Sequence, residues 1–189
     1  YQSGNCYFIG IRKRKGKVDY LISKHSFFLK EEKMNDIFER SFVKKYKGYR
    51  YMTARMPEGH CCGYIEIPEE HYLYGKNFNE PIPEAKFLLK ELQKKRIGKR
   101  SPLTILSISF RDDESDVTPE MIFDVNGGIN FSRVLKVRND DNPIFNWAIG
   151  FSTDHFNDNK TTQTHKFCED ECKNLIDQLV ELDNKLKYL

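Results

Sequence analysis

The strongest constraint on the fold lies at the C-terminal end. Cys168, Cys172, Leu175, Leu179, Leu182, Leu186 and Leu189 step by 4, 3, 4, 3, 4 and 3 residues, the spacing that stacks side chains on one face of an α-helix. The pattern predicts a helix from about residue 165 to the end, with a continuous apolar seam that something must cover. Such a short seam, about three heptads, is expected to pack across a sheet rather than form a coiled-coil dimer. It is also the surface through which copies of the chain would pair if an oligomer forms.

The rest of the chain supplies strands for that sheet. Residues 7–11 and 18–22 are apolar, β-branched or aromatic and flank a basic turn, 12–17, that holds Gly16, which reads as a hairpin. Over 31–46, Met34, Phe38, Phe42 and Tyr46 recur every four residues beside Ile37, with acidic residues early and lysines late. This predicts a helix aligned with its macrodipole and ended by Gly48. Segments 49–56 and 61–67 read as paired strands across a turn with Pro57 and Gly59, and Pro68 closes the second. A helix is expected over 84–97, where Ala85, Leu88, Leu89 and Leu92 share a face. Residues 103–110 interleave apolar side chains with Thr and Ser, which reads as a half-buried strand. Further strands are expected over 121–125, 129–137 and 145–151. The predicted fold class is α+β: a mostly antiparallel sheet with about three helices, the long C-terminal helix packed on it. One domain spans 1–189, with an N-terminal hairpin and helix (1–60), a strand-loop region (61–160) and the final helix (163–189).

Composition narrows the function classes. Hydrophobic residues at 39% and charged residues at 31% are ordinary for a soluble protein. A net charge of +3 is too small to argue for nucleic acid, and the basic clusters at 12–17, 44–47 and 94–100 read as solvated turns and helix ends. The longest apolar runs fall short of the roughly 18 residues that a membrane span needs. The start lacks the charged-then-apolar order of a secretory signal. Five cysteines without framework spacing read as reduced thiols in a cytoplasmic protein.

Three short segments carry chemistry that packing does not require: GYIEIPEEHYLYGK (63–76), DVNGGIN (124–130) and GFSTDHFND (150–158). Each runs from a strand into a polar loop, a common way to deliver site residues on a rigid support. In the first, His71, Tyr74 and Lys76 offer a proton shuttle, a stacking face and a phosphate-binding charge; alternatively, its aromatics cover the edge of the core. In the second, Asn126-Gly127-Gly128 either makes a type I′ hairpin turn between strands flanked by Asp124 and Asn130 or lets a ligand approach backbone N–H groups. The third places Ser152, His155 and Asp158 directly after an apolar strand. Together they predict one shared ligand site lined by His71, Tyr74, Lys76, Asp124, Asn126, Gly127, Gly128, Ser152, His155 and Asp158. His165, Cys168 and Cys172 share a helix face and could ligate zinc, but both cysteines belong to the apolar seam. His60-Cys61-Cys62 is contiguous, so its cysteines alternate faces in a strand. Zinc-ligand pairs, P-loop, Rossmann and hydrolase signatures do not occur. No metal and no cofactor is expected.

These blocks resemble a widespread group of small bacteriophage and prophage proteins. Their pattern reads GYV-x-VP-x-x-HPLYGK-x-Y, then DVHGGLTY, then GFD-x-AH-x-x-D, then a helix with E-x-x-x-LA-x-QL. The chain matches at Gly63, Tyr64, Pro68, His71, Leu73, Tyr74, Gly75 and Lys76, at Asp124, Val125, Gly127 and Gly128, at Gly150, Phe151, His155 and Asp158, and at Leu175, Gln178 and Leu179. It departs at Tyr72, where the pattern has Pro, at Asn126, where it has His, and at Ser152, where it has Asp. The resemblance implies a phage-type accessory protein of the host cytosol and supplies no activity. The loop residues Tyr74, Lys76, Asn126, Gly127, Gly128 and Ser152 themselves suggest an anti-defence role, the capture of a small polar or anionic ligand such as a nucleotide-derived signal. If the missing His and Asp were a general base and its orienting partner, this chain has lost both, which favours binding over catalysis. Two alternatives stand: a hydrolase or transferase using His71 or His155 with Asp124 or Asp158, and an inhibitor that binds a host defence protein.

Overall fold

The computed structural model describes residues 8–14, 17–23, 43–55, 60–94, 98–112, 115–136, 143–155, 158 and 162–187, the first two segments by backbone alone. Seven strands form one sheet: β1 (Phe8–Arg14), β2 (Lys17–Ser23), β3 (Lys44–Tyr46), β4 (Tyr49–Arg55), β5 (Cys61–Glu66), β6 (Phe131–Lys136) and β7 (Pro143–Ser152). Their order is β1-β2-β4-β5-β7-β6, with β3 also paired to β4. Every pairing is antiparallel except that of β2 with β4, which meet in parallel at Leu21 and Arg55. A 3₁₀ turn, Pro83–Leu88, leads into α1 (Leu89–Lys94); α2 (Pro102–Ser109), α3 (Pro119–Ile122) and α4 (His165–Leu186) follow. The fold is α+β, with the long last helix packed on the sheet.

Period-two alternation divides the sheet into two cores. Tyr51, Cys61, Ile65, Ile149 and Phe151 face the larger one, which contains the α4 side chains. Met52, Ala54, Cys62, Tyr64, Phe131 and Ala148 belong to a second cluster. The central strand β5 is buried from Cys61 through Ile65, so it shows none of the polar alternation of a strand with one wet face.

Helix α4 starts at Thr164, whose side chain accepts the Phe167 N–H, an N-cap of the usual kind. Its seam residues Cys168, Cys172, Leu175, Leu179 and Leu182 are buried, joined by Ile176, and the helix lies over β4 and β5. Leu186 is partly exposed and Leu189 lies outside the described residues. Because the seam is covered within the chain, it is not the surface through which copies would pair. The helix approaches the sheet closely at Gly63, where a Cβ would stand 2.6 Å from Cys172 Sγ and 2.6 Å from the Phe151 ring.

Several local expectations are corrected. Residues 103–110 are helical rather than a strand. Ser101 Oγ accepts the Thr104 N–H at 3.1 Å and Pro102 occupies the first turn, both helix-start features. Burial there recurs at Thr104 and Ile108, a four-residue repeat. The expected strand over 121–125 is instead the end of α3 and an unpaired extended run. Its missing ladder partner is replaced by α4 side chains: Gln178 Oε1 accepts the Asp124 N–H at 2.7 Å, while Gln178 and Asn174 amides each donate to the Asp124 carbonyl at 3.1 Å. Such substitution satisfies buried backbone groups without a neighbouring strand. Consequently 124–130 is not a hairpin between strands. Of the helix expected over 31–46, Lys44–Tyr46 form β3 instead, and 31–42 lie outside the described residues, as does the turn with Pro57 and Gly59. The helix expected over 84–97 begins as 3₁₀ and becomes α at Leu89, with Ala85, Leu88, Leu89 and Leu92 buried as read.

Leu179→Ala is expected to destabilise the protein by about 2–5 kcal/mol, read as a lower denaturant midpoint. Gly63→Ala should also destabilise it, although alanine suits a strand better than glycine, because the new methyl meets Cys172 and Phe151. Unchanged midpoints in both variants contradict this packing.

Candidate functional site

Strand β7 delivers the third polar segment, and Thr153 fixes where it goes. Its N–H donates to the Cys61 carbonyl at 2.9 Å, and its hydroxyl both donates to that carbonyl and accepts the Cys61 N–H at 3.0 Å. This staple pins the chain as it leaves the sheet and carries His155 to the 125–128 turn. There Gly128 N–H donates to Val125 O at 2.9 Å, with Gly127 at φ +67. Lys47 is the one non-glycine residue with positive φ among those described, so Asn126 is not left-handed and the turn is type II, not I′. Gly127 is required twice over. A Cβ at that residue would lie 1.9 Å from His155 Cε1, because the imidazole edge sits directly on the turn.

Asp158 holds that imidazole. Its Oδ2 lies 2.8 Å from His155 Nδ1 and accepts the His155 backbone N–H at 2.9 Å. Its Oδ1 accepts from Gln163 and, at 3.1 Å, from Asn126 Nδ2. Burial, the largest single influence, pushes the Asp158 carboxyl up, but these four donors together hold it below the usual carboxylate range. An ionised carboxylate only accepts, so Nδ1 carries a proton, and in the tautomer this selects, Nε2 is an acceptor. Among the described residues Nε2 has no partner. The His155 side chain is 34% exposed and Asp158 10%.

Asn126 ties this pair to α4. Its N–H donates to Glu171 Oε2 at 3.0 Å, and its Oδ1 accepts from Gln163 at 3.0 Å. Glu171, 5% exposed, is neutralised by Lys99. Ser152 stands at the margin: its hydroxyl accepts from Asn130 at 2.8 Å and donates to Asp154. Both glycine N–H groups are committed, Gly127 to Lys99 O at 2.7 Å and Gly128 to Val125 O, so the turn offers no backbone donors to an anion.

The structure therefore brings together Asn126, Gly127, Gly128, His155 and Asp158, with Ser152 beside them. It does not bring in the first segment. His71 Nε2 lies 3.0 Å from Asp183 Oδ1, Tyr49 OH donates to Asp183 Oδ2 at 2.7 Å, and His71 Nδ1 accepts the Leu73 N–H at 3.1 Å. Asp183 is twelve residues beyond Glu171 on α4, about 18 Å along the axis. Tyr74 lies against Trp147, which precedes Ser152 by five residues on β7, about 17 Å along the strand. Lys76 belongs to the same turn, donating its N–H to Leu73 O. Asp124 faces a separate cleft, with its Oδ1 accepting the Lys99 and Arg100 N–H groups at 2.6 and 3.1 Å. His165 Nδ1 lies 3.3 Å from Thr53 Oγ1, Cys168 and Cys172 are buried, and no group of three or more metal-binding side chains occurs among the described residues.

Sequence reasoning missed Gln163, Glu171 and Lys99. Glu171 did leave a signal, a carboxylate one turn before Leu175 and beside the seam, where burial demands partners. Gln163 left none, and Lys99 was hidden in a basic run. Comparison with family models, curated proteins and solved structures finds no match to the chain.

Two outcomes follow. Gly127→Ala should destabilise the protein by more than about 1 kcal/mol and displace the His155 ring signals in NMR spectra. His71 is buried, and burial depresses its pKa against the pull of Asp183 and Glu70. The unfolded chain therefore binds the proton first as pH falls. This contribution to stability is complete above about pH 6.5, the unfolded value, and declines below it toward the lower folded value. His71→Gln should flatten that part of the stability–pH curve; an unchanged slope contradicts the assignment.

Proposed function

We propose that the protein is a phage-type accessory protein that holds a small polar ligand at His155 without turning it over. The observation that carries this reading is the imidazole itself: Asp158 fixes its orientation at 2.8 Å, and Nε2, on the ring edge that lies along the Gly127 turn, has no hydrogen-bond partner among the described residues. Asn126 and Gln163 stand beside it as neutral amides, and Asp154 and Asp158 make the surroundings acidic. Such a place suits a ligand's hydroxyl or amino group rather than its anionic part. A host-derived signal, such as a nucleotide-derived one met through its sugar or base, has groups of this kind.

The His155–Asp158 pair also favours the hydrolase alternative, since an oriented imidazole is half of an acid/base site. Two features weigh against it. Among the described residues no hydroxyl or thiol bonds His155 as a nucleophile would. The glycine turn, its N–H groups committed, cannot stabilise an oxyanion. The inhibitor alternative finds its support elsewhere, in the exposed Leu103, Leu106 and Phe110 of the α2 segment.

Native mass spectrometry of the protein purified from signal-producing cells tests the reading. A retained small mass is expected, lost in His155→Ala and Asp158→Asn with melting temperature nearly kept. Losing such a contact costs about 1–3 kcal/mol, roughly five- to a hundredfold in affinity. A mass that persists in both variants, or a bare wild-type chain, contradicts it.

A further inference from the structure

On the far side of Lys99 and Asp124 from the imidazole, a cleft of about 250 Å³ opens between α1 and α4. Its floor is apolar, made by Leu88, Leu92, Ile122 and Leu182, and its rim carries three cations and three carboxylates. The charges are balanced in number but not in their commitments. Lys185 holds both rim glutamates, Glu91 at 3.2 Å and Glu181 at 3.0 Å. Lys99 is committed to Glu171, and Asp124 accepts two backbone N–H groups.

Arg100 is the exception. Its side chain is 5% exposed, Nη2 donates to the Ile122 carbonyl at 2.8 Å, and Nη1 stays 3.5 Å from Asp124 Oδ1, longer than a charged hydrogen bond. Nε has no partner among the described residues. A buried guanidinium with donors left over is costly, and its planar fork matches a carboxylate or phosphate.

We propose that this cleft is a second ligand site, taking a compact molecule with an apolar body on the leucine floor and one oxyanion at Arg100. The site goes beyond the reading at His155 and stands without it. Its volume lies below the roughly 300–1,000 Å³ of drug-sized pockets, which selects a molecule about the size of a substituted benzene rather than an enclosed dinucleotide. The carboxylate and phosphate forms share this chemistry and differ only in charge and shape.

Methyl NMR of the full chain, titrated to millimolar benzoate, phenyl phosphate or inorganic phosphate, tests the site. Saturable shifts are expected at Leu88, Leu92, Ile122 and Leu182 with benzoate or phenyl phosphate, the tighter probe identifying the oxyanion. Arg100→Gln should weaken that binding tenfold or more. Because Arg100 is buried, its variant is paired with Glu181→Gln at the exposed rim. That change leaves the core alone and should tighten the same probe about two- to fivefold by removing a like charge. Motionless cleft methyls with all three probes overturn the proposal, as do shifts indifferent to Glu181→Gln. Shifts confined to His155 and Gly127 overturn it while leaving the His155 reading intact, and a response to inorganic phosphate alone removes the apolar body and overturns it as well.

Discussion

The structure depends on how closely α4 sits on the sheet, and that closeness depends on Gly63. With no side chain there, Cys172 and Phe151 fill the space, and the seam from Cys168 to Leu182 is buried along its length. Each buried leucine contributes roughly 1.5–3 kcal/mol, enough to fix the helix in position and rotation. Once it is fixed, the other faces of α4 can only reach particular neighbours. Glu171 meets the Asn126 turn, Asn174 and Gln178 hold Asp124, and Asp183 anchors His71 and Tyr49. Asp183 and Gln178 are five positions apart, about 140° round the helix, so the His71 loop and the cleft lie on different sides of it.

That arrangement explains why two histidines of similar sequence setting have different roles. His71 receives a backbone N–H on one nitrogen and faces Asp183 with the other; both ring nitrogens are used, so the residue holds a loop against the helix. The His155 ring is held through Nδ1 alone, about a third exposed, over a glycine that could be no other residue. Asn126 and Ser152 fit the same picture. Asn126 uses its backbone N–H, its amide nitrogen and its amide oxygen in three directions. Ser152 links Asn130 to Asp154. Neither leaves a gap where a titrating group would be missed.

Much of this was legible in the sequence because it rests on periodicity. The seam of α4 and the paired strands β4 and β5 follow from one-dimensional spacing, and so do the buried leucines of α1. The α2 segment was misread because its outward face is apolar, so hydrophobicity pointed away from the core and only the Ser101-Pro102 start signalled a helix. Residues 121–125 were misread because their backbone partners are side chains some fifty positions later, which no local pattern announces. The expectation of one shared site failed for a geometric reason: His71 and His155 follow the C-terminal ends of β5 and β7, adjacent antiparallel strands whose chains leave the sheet at opposite ends. What spacing could reveal at the site was local, namely His155 with Asp158 and the Asn126-Gly127-Gly128 turn. Lys99 reaches it through the tertiary fold alone, and Gln163, though only five residues from Asp158, lies where no periodicity marks it.

The central claim is that Asp158 holds His155 through Nδ1, leaving Nε2 without a partner among the described residues, while Asp183 takes His71 through Nε2. Long-range proton–nitrogen NMR of the uniformly labelled protein reads both tautomers in one spectrum, in mildly alkaline buffer where imidazoles are neutral. The account predicts opposite forms, the proton on Nδ1 of His155 and on Nε2 of His71. The same tautomer on both rings, or rapid averaging at His155, would contradict it.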